Sequence, residues 1–359
     1  GALLRGPSDD GIEWGSLQRA CQSAAHSVNG VTAEDLAVSV DDPNLIEKAV
    51  GIYMEHGCCV VRGLNRQYVS GIQAHADAIA RQSISLLPRA RFDPGVGWVT
   101  PDGTLFIPTP AEYTEKLGRD KQIMVLGLDY YTSSALLHTA LDERCLDIVS
   151  GILGPDVELF GKGQCFYKEP AGGNPKLLHQ DSAYFEFEKE GVVGTLNYAV
   201  DTTRELNNGP LYVIPGTHRV GGYGHDRPGA YHGRSSNFAY IKHVDTRSHL
   251  ALDPQHWNFD EAIPIDGKAG DTVFFHLNCV HGSTPNFSDK PRATFINRYL
   301  ACNDRQTIFA TDTRMRAAAE EAADLKDLAA MPHQDGGFVV RGRKAYDGGD
   351  WAHVAKAHH

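Results

Sequence analysis

A histidine and an aspartate two residues apart occur twice in this chain. One pair is His179 and Asp181 in "LLHQDSAYF"; the other is His333 and Asp335 in "MPHQDGGF". In extended backbone, residues i and i+2 point to one face, so both side chains of such a pair can reach one metal ion. A third histidine from another strand would complete a 2-His-1-carboxylate face, the arrangement of non-haem Fe(II) oxygenases. His281 is the best candidate. It ends a β-like run in "FFHLNCVHGSTPNFSDKPR". His276, earlier in the same run, reads instead as a packed strand residue. Arg292 follows His281 by eleven residues on the next strand-like run. Its guanidinium could grip a carboxylate bidentately, and Ser283 could add a hydroxyl. Three protein ligands leave three metal positions open, two for a chelating 2-oxo acid and one for O2.

The second pair lacks these companions. His333 and Asp335 lie in a Gly-rich tail with no strand-borne arginine at the matching distance, and they read as a coincidental repeat.

The elements around the first pair change character along the chain. Residues 42–57 read as an amphipathic helix, with Pro43 in its first turn and Gly57 at its end. "CCVVRGL" reads as a buried strand and "YVSGIQAHADAIARQ" as a second helix. Residues 85–132 are Pro- and Gly-rich with few clear periods, and residues 133–154 return to a helical pattern. From about residue 157, "VELFGKGQCFYKE", "GVVGTLNYAV", "GPLYVIPGTH", "DTVFFHLNCVHG" and "RATFINRYLA" are short strand-like runs between turn residues. That rhythm predicts an all-β sandwich or barrel. A long polar insert at residues 221–262 reads as a lid-like functional loop. "TRMRAAAEEAADLKDLAA" reads as a solvent-facing helix that could serve a homodimer contact.

Composition narrows the class. The 359 residues carry a net charge of -11, with 45 acids against 34 bases. That balance disfavours a nucleic-acid partner and mildly favours neutral or cationic small molecules. Seven cysteines without a CxxC pair argue against a disulfide scaffold or a structural zinc, and point to a reducing cytoplasm. No apolar run reaches the length of a membrane span, so no membrane partner is expected.

"LHQDSAYF", "NNGPLYVIPGTH" and "GDTVFFHLNCVHGSTPNFSDKPR" together resemble the phytanoyl-CoA dioxygenase family, over roughly residues 157–300. The resemblance implies a mainly β fold with flanking helices on a double-stranded β-helix, a jelly-roll, cupin-like core. It implies Fe(II) at His179, Asp181 and His281. It implies 2-oxoglutarate near Ser283 and Arg292, with Gln164 and Asn197 on neighbouring strands. The expected activity is an oxygenase that consumes O2 and 2-oxoglutarate and releases succinate and CO2. It would hydroxylate, desaturate or oxidatively cyclise a small, polar metabolite, in natural-product biosynthesis. Related halogenases replace the carboxylate ligand with a small residue; Asp181 therefore implies oxygen chemistry. One catalytic domain, 1–359, is expected: a mostly helical part at 1–156, the core at 157–302, and a helix and tail at 303–359. Two rivals stay open, a cupin-type isomerase or lyase that does not use 2-oxoglutarate, and a non-catalytic binding protein on the same scaffold.

Overall fold

Residues 292–301 show how the core is built. All ten are buried, yet they alternate between two environments. Ala293, Phe295 and Tyr299 pack with the helices, while Ile296 belongs to a second cluster on the opposite face. A strand covered on both sides must lie between layers. In the computed structural model this strand is central to the larger of the two sheets that enclose the core. Residues 25–93, 97–220, 240–242, 250–309 and 338–343 are described, apart from short gaps within these stretches. Most of the 221–262 insert, the second pair at His333 and Asp335, and the helix expected at 313–330 fall outside the described residues.

Among the described residues, twelve strands form the larger sheet. Its middle runs Cys58–Arg62, Thr272–His276, Val192–Tyr198, Arg292–Ala301, Gln164–Lys168 and Lys121–Leu126, all antiparallel neighbours. The smaller sheet has the order Lys176–His179, Val280–Ser283, Leu211–Ile214, Ile263–Ile265. The two sheets face each other across one apolar cluster. Leu196, Tyr198, Val273, Phe275 and Ile296 of the larger meet Leu211, Val213, Ile263 and Ile265 of the smaller. This is the double-stranded β-helix expected from the motifs. On the outer face of the larger sheet, helices Leu45–His56, Val69–Leu86, Ser134–Leu141 and Glu143–Leu153 bury their apolar stripes against Cys59, Val61, Val193, Phe274 and Tyr299.

Three details differ from the sequence reading. The irregular stretch at 85–132 contributes Arg91–Asp93, Gly97–Val99, Leu105–Pro108 and Lys121–Leu126, which extend the larger sheet. The helical pattern at 133–154 is two helices. Asp142 leaves the helical conformation and caps the second, its carboxylate accepting from the Arg144 N–H. In the tail, where no strand was read, Phe338–Arg341 pairs with Val157–Leu159. No helix among the described residues is long and apolar enough to cross a membrane.

Candidate functional site

The interior between the sheets is apolar at one end and polar at the other. The polar end is assembled from four strands. His179 and His281 are direct cross-strand partners in the smaller sheet. Direct partners share a face, and both imidazoles point inward, with ring centroids 4.3 Å apart. Asp181 follows at the start of a short 3-10 turn, Asp181–Ala183. Between them, Gln180 turns the other way, and its amide donates to the Asn278 carbonyl at 2.7 Å. The Ser182 N–H bonds to the Leu277 carbonyl, so the turn carrying Asp181 is tied to the loop before His281.

Local sequence explains the approach of these strands. Gly282 lies so close to the neighbouring backbone that a Cβ would meet the Lys176 oxygen at 2.8 Å. Only glycine permits that contact. Thr217, from "PGTH", accepts from the Val280 N–H at 2.9 Å and donates to the Ile214 carbonyl at 2.7 Å. That turn therefore fixes the strand bearing His281. His218 binds the Met54 carbonyl and lies against His276 on the outer side, away from the trio. His276 is thus a packing residue, as its position predicted, and His218 is bonded to the backbone of the first helix.

The trio has the chemistry of a metal face. One ligand atom from each of His179, Asp181 and His281 lies within 4.8 Å of the others, and all three residues are buried. Each imidazole holds its Nδ1 against a backbone carbonyl, Leu177 at 2.8 Å and Cys279 at 2.9 Å. That contact fixes the tautomer and aims both Nε2 lone pairs at the shared space. The Nε2 atoms stand 3.5 and 3.8 Å from Asp181 Oδ1. These separations are too long for direct hydrogen bonds, and one ion could bridge them. Burial, then the neighbouring His281, pushes the His179 imidazole down to about 3. Burial also lowers His281, against the pull of Asp181. Burial alone would raise Asp181, but Arg298 and the two imidazoles more than offset it and hold the carboxyl below its usual range. At neutral pH the face is two neutral imidazoles and one carboxylate, the protonation state that metal binding requires.

Beside the trio, the larger sheet presents Gln164, Phe166 and Lys168 on one strand and Arg292, Thr294, Ile296 and Arg298 on the next. Lys168 and Arg292 are cross-strand partners, as are Gln164 and Ile296. Arg292 is 1 % exposed. It donates to Thr294 Oγ1 at 2.9 Å and to the Gly209 carbonyl at 2.6 Å, while its Nε is buried without a partner. Gly209 holds φ at 83°, which favours glycine, and a Cβ there would meet the Thr284 oxygen and the Lys168 side chain. Burial pushes the guanidinium down to about 10. No carboxylate of a described residue pairs with it. Ser283 Oγ accepts from Lys168 Nζ at 2.8 Å, which leaves its own hydroxyl proton to give. Arg298 reaches the trio from the other side, with Nη2 3.6 Å from Asp181 Oδ2 and Nη1 donating to Gln164 Oε1 at 2.9 Å.

Of the residues singled out from sequence, His179, Asp181, His281, Ser283, Arg292 and Gln164 line this one interior. Gln164 holds Arg298. Asn197 does not join them. It pairs with Phe295, so its side chain lies on the outer face of the larger sheet. There Asn197 Oδ1 accepts from Asn65 and Thr272, and its Nδ2 donates to the Phe295 carbonyl and Thr195 Oγ1. Its hydrogen-bonding capacity is filled, so it is a structural residue. Asn197→Ala is expected to lower stability by about 1–3 kcal/mol, because two buried donors lose their acceptor. It should leave 2-oxoglutarate affinity unchanged; thermal melts and a ligand titration check both halves.

Two inward cations were not read from the sequence, Lys168 and Lys176. Lys176 pairs with Ser283, and a register shift before His179 turns both side chains to the same face. Burial pushes its ammonium down to about 7, partly restored by Asp181.

The profile of the phytanoyl-CoA dioxygenase family matches residues 53–294. The peroxisomal phytanoyl-CoA dioxygenase of Mus musculus is similar, 27% identical over 205 residues, covering 55% of this chain and 55% of its own length. The ectoine dioxygenase of Sphingopyxis alaskensis is 28% identical over 181 residues, covering 48% of this chain and 56% of its own. The chain thus spans about half the length of these two curated relatives. Among solved structures, the epimerase SnoN in complex with Fe3+, alpha ketoglutarate and nogalamycin RO aligns over 86% of this chain and 98% of its own, at 18% identity and a TM-score of 0.48. With the family profile covering more than half of its residues, the chain belongs to the phytanoyl-CoA dioxygenase family.

Proposed function

We propose that this protein is an Fe(II)- and 2-oxoglutarate-dependent oxygenase acting on a small molecule. His179, Asp181 and His281 hold the iron, and Arg292, Ser283 and Lys168 hold the distal carboxylate of 2-oxoglutarate. The observation that carries the reading is Arg292. A guanidinium buried to 1 % exposure, with its Nε unpartnered and no described carboxylate beside it, is costly unless an anion joins it. Its neighbour Ser283 stands two residues from His281 along one strand, a step of roughly 7 Å. A five-carbon diacid that grips the metal at one end can reach across that step.

Each residue then has a task. The two imidazoles and Asp181 would hold the iron as three protein ligands. The Leu177 and Cys279 carbonyls keep both Nε2 atoms turned to it. Lys168 occupies an acceptor lone pair of Ser283, so the hydroxyl donates to the incoming carboxylate. Arg298 keeps Asp181 ionised and oriented, and Gln164 keeps Arg298 in place. Bound iron and 2-oxoglutarate supply the oxidising power, with O2 and the 2-oxo acid consumed and succinate and CO2 released for each substrate oxidised. The expected outcome on substrate is hydroxylation, desaturation or oxidative ring formation, on a polar metabolite of a biosynthetic pathway.

Oxygen uptake by the purified protein tests the reading. Uptake should require both Fe(II) and 2-oxoglutarate, and succinate should appear one for one with the 2-oxoglutarate lost. Metal-dependent turnover that ignores 2-oxoglutarate would move the protein to cupin-type chemistry.

A further inference from the structure

Between His281 and Arg292 the chain reads "GSTPNFSDKP", with Asn286 in its middle. Asn286 is fully buried, at 0 % exposure. Its Nδ2 donates to two carbonyls, Lys168 at 3.0 Å and Lys290 at 2.8 Å. Its Oδ1 accepts from the Ser288 N–H at 3.0 Å and the Ser288 hydroxyl at 2.7 Å, which fixes which end of the amide donates. Its backbone exchanges bonds with Gly173 and forms a bridge with Asn208.

These contacts lie where the ladder of the larger sheet runs out. Lys168 ends one strand, Arg292 begins the next, and the two are direct partners. Pro291, one step outward, has no N–H to extend the ladder. The Asn286 amide spans that point, joined to Lys168 on one side and to Lys290, two residues before Arg292, on the other. The same residue meets the segments that hold the two cations in place. Asn208 precedes Gly209, whose carbonyl accepts from Arg292. Thr284, two residues before Asn286, accepts from Lys168 Nζ through its carbonyl, beside the bond from Nζ to Ser283.

Resting on the iron and 2-oxoglutarate reading, we propose that Asn286 is a positioning residue for the cosubstrate. Its amide holds Lys168 and Arg292 at the separation that fits the distal carboxylate of 2-oxoglutarate. It therefore serves the choice of a 2-oxo diacid over a 2-oxo monoacid, and not the binding of iron. A guanidinium–carboxylate contact is directional, so loosening the two strand ends weakens it more than it weakens chelation at the metal. The metal trio is fixed by other bonds, through Thr217, Gln180 and the Ser182 N–H.

The test titrates the anaerobic Fe(II) protein with two five-carbon 2-oxo acids, 2-oxoglutarate and 2-oxopentanoate. The second chelates in the same way but lacks the distal carboxylate. The metal-to-ligand charge-transfer band reports the binding of each. Wild type should prefer 2-oxoglutarate by at least about thirtyfold, the effect of one buried charge pair. In Asn286→Ala that preference should fall by about tenfold or more, since misplacing a gripping group by about 1 Å costs up to about 100-fold. Iron and 2-oxopentanoate should bind as before. Two buried carbonyls lose their donor, so the variant also loses stability, and the 2-oxopentanoate band shows that it is folded. Ser288→Ala frees Oδ1 without emptying the site, and should lower the preference by about threefold; it decides the matter if Asn286→Ala does not fold. An unchanged preference in the folded variants overturns the inference. So does an equal loss for both acids, which would make Asn286 a structural residue only. A wild type that forms the band with both acids and prefers neither removes the distal-carboxylate grip. A wild type that forms no band removes the cofactor reading itself, and this inference falls with either.

Discussion

Replacing His281 with alanine is expected to abolish turnover and to weaken metal binding by more than about 100-fold. That lower bound is the upper end of what losing a supporting hydrogen bond around a metal costs, and a lost ligand costs more. His281 sits at the junction of three constraints: its cross-strand pairing with His179, its Nδ1 contact with Cys279, and its approach to Asp181. Alanine preserves the strand, because the ladder is backbone and Thr217 still accepts from Val280. The metal-free variant should therefore melt close to wild type. Metal analysis and a melt of the same sample separate the two effects. A variant that retains stoichiometric iron would show that the trio is a buried polar cluster rather than a metal face.

The second large effect has opposite signs on binding and on stability. Arg292→Met should raise the 2-oxoglutarate dissociation constant by at least about thirtyfold, since truncating one side of a buried charge pair costs about 2–5 kcal/mol. The ligand-free protein should not suffer in proportion. Burial disfavours the charged guanidinium in the folded state, so without an anion beside it Arg292 carries a desolvation cost. Methionine removes that cost and forfeits the bonds to Thr294 and Gly209. The two nearly cancel, and the ligand-free melting temperature should move by only a few degrees. Saturating iron and 2-oxoglutarate should then raise the melting temperature of wild type and not of the variant. A variant that is strongly destabilised without ligand, yet binds 2-oxoglutarate normally, would make Arg292 a structural anchor.

The site was legible from sequence where alternation alone decides geometry. His179 with Asp181, and His281 with Ser283, are two apart at strand ends, and that spacing survives whatever the strands pair with. Arg292 was legible for the same reason, as the first residue of a long buried strand. Asn197 came from the family resemblance, not from alternation. Its type suited the pocket, but which face of Val192–Tyr198 points inward depends on its register against Arg292–Ala301, and one residue of slip reverses every side chain. Lys168 and Lys176 were missed because a lysine in a short strand reads as solvated. Only the pairing with Arg292 and Ser283, and the register shift before His179, turn them inward. The strands between residues 91 and 126 were missed because several are three or four residues long and bounded by Gly and Pro. Such runs carry no period of their own, and their conformation comes from the sheet they join.

The most direct measurement is an anaerobic titration of metal-free protein, first with Fe(II) and then with 2-oxoglutarate, followed in the visible spectrum. The expected result is a new metal-to-ligand charge-transfer band that saturates at one equivalent of each. It should be absent in His179→Ala and should need far more 2-oxoglutarate in Arg292→Met. Iron binding with no such band would contradict a chelated 2-oxo acid at this metal, and a failure to bind iron at all would contradict the assignment of His179, Asp181 and His281.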